Sequence, residues 1–136
     1  MDKKKIFKMV EDIEDDIIEI RHIIHQNPEL AYEEKETAAL VEKELKKLDL
    51  KVKSGIYHTG VCGLLENSNS ENDKTILLRA DMDALPIQEN TGKPYSSKND
   101  GIMHACGHDG HTAILIGVAI LLNKLKNEFN GNVKFV

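Results

Sequence analysis

The stretch over residues 112–127 constrains this chain more than any other. Ile114, Leu115, Ile116, Val118, Ile120, Leu121 and Leu122 leave hardly any side of a helix without an apolar residue. A helix that is apolar over most of its circumference is stable in water only when other elements cover it from several directions. It must therefore be central, and the rest of the chain has to supply its cover. Its apolar run, 113–122, falls well short of the roughly 20 residues that span a bilayer.

Two further segments carry the pattern that cover requires. Ile6, Val10, Ile13, Ile17, Ile20 and Ile24 step by four and three along one stripe, which predicts a single amphipathic helix with Glu11, Asp12, Asp15, Asp16 and Glu19 on its other faces. Asn27-Pro28 closes it, because the residue before a proline is pushed out of the α region. A second helix is predicted over 33–48, burying Ala38, Val41, Leu45 and Leu48. The period then changes to that of strands, over 51–53, 61–65, 75–80 and 133–136. Thr75-Ile76-Leu77-Leu78 reads as a strand covered on both faces. Residues 67–74 read as a solvated, hairpin-type connection, and 81–110 as a loop rich in Pro and Gly. The class is α/β.

With 136 residues the chain is the size of one domain. A net charge of −5 and an aromatic content of 4% without tryptophan argue against nucleic acid, which asks for basic surfaces and stacking platforms. The opening MDKKKIFKMVEDIEDD turns acidic at once and has no apolar core, so no signal peptide is expected. Cys62 and Cys106 are then expected as reduced thiols in a cytoplasmic, membrane-free protein. The strand at 133–136 is cut at its last residue, as in a fragment of something larger. Such a fragment leaves that strand and the central helix short of partners, so poor folding or self-association is expected.

Chemistry concentrates in His104-Ala105-Cys106-Gly107-His108-Asp109-Gly110-His111, with three imidazoles, a thiol and a carboxylate among small residues. Cys106 and His108, two apart in an extended loop, can aim at one point. Thiolate plus imidazole suits zinc, or manganese where carboxylates complete the shell. Asp81 and Asp83 directly follow an apolar strand, at the sheet edge where α/β proteins bind ligands; Asp-x-Asp before Pro86 is equally a turn. Asp109 is placed to be the N-cap of the central helix, and His111 a helix-start residue. His22 and His25 read as structural residues near a helix end. His58 carries no spacing signal, and Cys62 reads as a small core residue.

Four motifs then occur in order: His25-Gln26-Asn27-Pro28-Glu29-Leu30, Thr59-Gly60-Val61, Leu78-Arg79-Ala80-Asp81-Met82-Asp83-Ala84-Leu85-Pro86, and Met103 through Thr112. Together they resemble the N-terminal part of the metal-dependent amidohydrolases that include hippurate hydrolases, N-acyl-amino-acid amidohydrolases and plant indoleacetyl-amino-acid hydrolases. These belong to a wider aminoacylase and carboxypeptidase clan with two co-catalytic metals. The resemblance runs from about residue 20 to 136. It implies part of a three-layer α/β/α, zinc-peptidase-like catalytic domain with a mixed, largely parallel sheet. Residues 1–136 would form its N-terminal part, with the remainder and a lid or dimerisation domain lying outside.

The resemblance also implies roles. Cys106 and His108 match metal ligands, and Asp83 matches the catalytic-site residue that orients the metal. Asp81 stands where the wider clan has a histidine ligand, its duty passing to Cys106. His104 and His111 belong to the motif but are not first-choice ligands. Two divalent ions are implied per intact site: zinc or manganese, with cobalt or nickel as alternatives. The implied substrate is a small N-acylated amino acid or short peptide-like amide, and a homodimer is an assembly the family allows. A Glu-Glu pair that supplies the family's general base, and further histidine ligands, come after the last strand and are not in this chain. The expectation is an amidohydrolase whose portion here is inactive on its own. The alternatives are a non-catalytic fragment or a small metal-binding module.

Overall fold

The computed structural model describes residues 2–67 and 74–136. Its elements are α1 (Lys3–Glu11), α2 (Glu14–Gln26), α3 (Lys35–Lys46), β1 (Lys51–Ile56), β2 (Gly60–Leu65), β3 (Thr75–Leu78), α4 (His108–Lys124), one 3-10 turn (Lys126–Glu128) and β4 (Asn132–Phe135). The single N-terminal helix expected from the stripe is two helices. Glu14, Asp15 and Asp16 form the first turn of α2, where the positive end of a helix dipole favours carboxylates. The break puts Ile13 in the interior, whereas α1 buries no residue and Val10 stays exposed.

The sheet has the order β1-β2-β4-β3. It is mixed, as expected, but parallel pairing is confined to β3–β4; β1–β2 and β2–β4 are antiparallel. Within these four strands parallel pairing is thus the minority. Val61 and Leu65 of β2 and Val133 and Phe135 of β4 share one face and pack with Ala38 and Leu45 of α3, Leu50, and Ala119 of α4. A second cluster joins Ile20 and Ile24 of α2 to Ala113 and Ile116 of α4. Gly117 makes that approach possible, since a Cβ there would lie 3.3 Å from Ile17 side-chain carbons. The central helix is therefore covered by α2, α3 and the sheet on most sides, but not all round as its apolar circumference predicts: Ile114 is 60% exposed.

Two strand expectations need correction. Ile76 and Leu77 are 64% and 56% exposed, because β3 is an edge strand and is not covered on both faces. The strand at 133–136 is not the open one, since β4 lies between β2 and β3. The connection expected to be hairpin-like falls largely on 68–73, outside the described residues, and the strands it joins are separated by β4 rather than paired. Between β3 and α4 the chain has no named helix or strand. It is tied down by backbone bridges Leu30 to Ala84 and Leu85 to Met103. Among the described residues no helix is long and apolar enough to cross a membrane.

Candidate metal centre

The parallel pair β3–β4 and the helix between them form a β-α-β unit, and the residues that leave β3 build the site. Ala80 N–H donates to Val136 O (3.0 Å), which continues the β3–β4 ladder past Leu78. Asp81 then turns aside. Its carboxylate is paired with the Arg79 guanidinium, one bond being Nη1 to Oδ2 at 3.1 Å, and its carbonyl accepts from Thr112 Oγ1 of α4 at 3.0 Å. Asp83 faces the other motif. Its carbonyl oxygen accepts from Cys106 Sγ (3.6 Å) and from His108 Nδ1 (3.0 Å), and its Oδ1 accepts from the same nitrogen (3.0 Å).

The tautomer of His108 follows from this. Both partners of Nδ1 are oxygens that only accept, so Nδ1 carries the proton and Nε2 of the neutral ring keeps its lone pair. A carboxylate on the far nitrogen of an imidazole is the arrangement that orients metal-binding histidines. Cys106 Sγ and His108 Nδ1 converge on one atom, the Asp83 carbonyl oxygen. Sequence reasoning placed His108 in an extended loop and began the helix near Thr112. In the structure His108 opens α4, with Gly107 at its cap in the left-handed region (φ +85°). The signal was in the sequence: a glycine is free to adopt that turn, and an acidic residue follows in the first helical turn.

Asp109 is not the N-cap. It sits in the first turn of α4, fully buried, and Oδ2 accepts from Arg21 Nε (3.0 Å) and His25 Nδ1 (2.8 Å). Burial raises its pKa, but the bonds from His25, the Gly110 N–H and Arg21 outweigh that and hold it below the usual range. His25 is structural, as read, and it does more than meet a helix end. It is buried, and its Nε2 lies 3.4 Å from the Glu89 carboxylate. Sequence reasoning missed Glu89, which has no periodicity or motif to mark it. Burial raises its pKa too, yet the Ser97 N–H, the Thr91 hydroxyl and His25 bring it down to about 2. His22 stacks on Tyr95 with ring centroids 4.0 Å apart.

His104 is buried with neither ring nitrogen hydrogen-bonded among the described residues; burial lowers its pKa. His111 is exposed, its ring 6.0 Å from that of His108. Cys62 and Cys106 are both free thiols. A cavity of about 300 Å³ has Asp81 and Asp83 in its wall together with Glu34, Thr59 and apolar residues of α3 and α4. Among the described residues no three His, Cys, Asp or Glu side chains gather as a metal-binding group. The structure thus brings Asp83, Cys106 and His108 together and directs Asp81 to Arg79.

The fold thus sets a thiol and an imidazole beside the C-terminal end of a parallel strand. Residues 77–136 match the model of Peptidase family M20/M25/M40. The chain is 46% identical over 134 residues to thermostable carboxypeptidase 1 of Saccharolobus solfataricus, covering 98% of this chain and 34% of the relative. It is 51% identical over 120 residues to the hippurate hydrolase of Campylobacter jejuni, covering 88% of this chain and 30% of that one. Its fold superposes on the Bacillus subtilis YXEP protein, described as a dinuclear metal binding peptidase of the M20 family, with a TM-score of 0.85 and 40% identity over 92% of this chain and 35% of the other. In sequence over residues 77–136, and in fold over 92% of its length, the chain is similar to members of this family. It spans about a third of the length of the relatives it matches.

Proposed function

We propose that this chain carries the Cys-His part of the metal centre of an amide-hydrolysing enzyme acting on N-acyl amino acids or short peptide-like amides. The observation that carries the reading is that Asp83 gathers Cys106 Sγ and the His108 ring at one carbonyl oxygen and occupies Nδ1, which leaves Nε2 as the ring's ligating atom beside the thiol. Thiolate sulfur and imidazole nitrogen make the borderline-soft donor pair that zinc accepts, and manganese, cobalt or nickel are the alternatives. Cys106, after loss of its proton, and His108 through Nε2 would hold the ion. Asp83 keeps that nitrogen free by occupying Nδ1. A divalent ion held there supplies Lewis acidity for the amide carbonyl and for water.

The same inventory leaves the base unfilled. Asp83 is engaged with His108, Asp109 with Arg21 and His25, and Asp81 with Arg79. Each is committed to a partner within the chain, and the one oxygen without a partner, Asp109 Oδ1, is buried away from water; losing a positioned general base costs about 10²–10⁴-fold in rate. Residues 1–136 are on this reading the N-terminal part of a catalytic domain, inactive alone. The rest of that domain, further ligands and a dimerising lid lie on chain beyond it. A thiolate ligand at Cys106 suits a reducing compartment such as the cytoplasm.

The test joins this chain to the complementary two-thirds of the Campylobacter jejuni hippurate hydrolase. With zinc or manganese the chimera is expected to release glycine from benzoylglycine, while this chain alone does not. Cys106→Ala should abolish the chimera's turnover. A chimera indifferent to Cys106→Ala, or turnover by the isolated chain, contradicts the reading.

A further inference from the structure

Residues far apart in sequence meet at the first turn of α4 and leave the metal donors untouched. Arg21 and His25 come from α2, Glu89 from the long loop, and Asp109 from α4 itself; His25 bridges the two carboxylates. Ser97 N–H holds Glu89 from the loop side at 2.6 Å. Burying this many charged groups is weak evidence for stability, because their desolvation offsets most of their attraction. What such a set does well is fix direction. A slip of one residue in helical phase turns a side chain by about 100°, and Asp109 is the neighbour of His108. An anchor on Asp109 therefore sets where the His108 ring points.

We propose that His25 is a positioning residue for the metal centre: by donating its Nδ1–H to Asp109 it locks the rotation of α4's first turn and keeps His108 on Asp83 beside Cys106. The claim rests on Cys106 and His108 being ligands, and its test separates the two. Cobalt(II) is titrated into the chain as wild type, His25→Ala and His25→Asn; asparagine places an N–H where Nδ1–H stands. Loss of an outer partner of a ligand typically costs about 10–100-fold in metal affinity, which is expected for His25→Ala, whereas His25→Asn should restore affinity to near that of wild type. If His25→Ala does not fold, Arg21→Ala takes its place. Its side chain is 44% exposed, and a smaller weakening is expected. Equal affinity in all folded variants, or loss in His25→Asn as deep as in His25→Ala, overturns the proposal.

The metal-free chain is read in parallel by imidazole nitrogen–proton correlation spectra. His108 should show a single Nδ1–H tautomer in wild type and in His25→Asn, and a mixture in the variant lacking the donor. A wild type with no Cys106-dependent cobalt spectrum would sink the metal reading alone. An unchanged His108 tautomer in the donor-less variant would sink the positioning role alone.

Discussion

Two polar clusters share the start of α4, and they are built on opposite principles. Around Asp109, one carboxylate oxygen takes bonds from Arg21 and His25, while His25 reaches on to Glu89; the other oxygen, Oδ1, is buried without a partner among the described residues. Around Cys106 and His108, two donors share the single Asp83 carbonyl and Nε2 keeps a lone pair. In the first cluster the His25, Glu89 and Asp109 side chains are buried, the unpaired Asp109 Oδ1 included, whereas in the second Asp83 and His108 are partly exposed. Burial suits contacts that hold elements together, and an accessible lone pair is what a ligand needs. Adjacent residues, His108 and Asp109, thus belong to clusters of opposite exposure.

The largest effect should come from breaking the buried cluster. Asp109→Ala leaves His25 and Arg21 facing an empty acceptor position, and is expected to cost about 3 kcal/mol in urea unfolding, as removal of one partner from a buried pair does. A smaller effect should follow acidification. The Glu89 carboxyl stands at about 2 against a usual 4.5, so its contribution is complete above 4.5 and is lost as pH falls through 4.5 towards 2, where the folded form also takes up a proton. The thermal midpoint should fall across that window, and Glu89→Gln should flatten the fall. The least effect on stability is expected from Cys106→Ser, within about 1 kcal/mol. A Cys106→Ser loss as large as that of Asp109→Ala would erase the contrast between the clusters.

Much of this was legible in the sequence, and the exceptions have physical causes. The apolar pattern of 113–122 identified a central helix, because most of such a surface must be covered, though it did not tell that Ile114 stays exposed. The donors Cys106 and His108 and their partner Asp83 stood out because their motifs are local. The division of the N-terminal helix was hidden, since the four-and-three spacing runs unbroken through Ile13 and only Glu14-Asp15-Asp16 marks a fresh helix start. The exposure of Ile76 and Leu77 was hidden because an apolar run reads alike in an edge strand and a central one. Glu89 was out of reach altogether. Its partner His25 lies 64 residues away, and a loop without regular structure gives no period from which to infer that meeting.

The central claim, that Cys106 and His108 hold a divalent ion with Asp83 orienting the ring, is tested most directly by the ultraviolet spectrum of the cobalt(II)-loaded chain. A thiolate-to-cobalt charge-transfer band should grow on titration, vanish in Cys106→Ser, and require more cobalt in Asp83→Ala. A band that persists unchanged in Cys106→Ser would place the metal elsewhere and contradict the account.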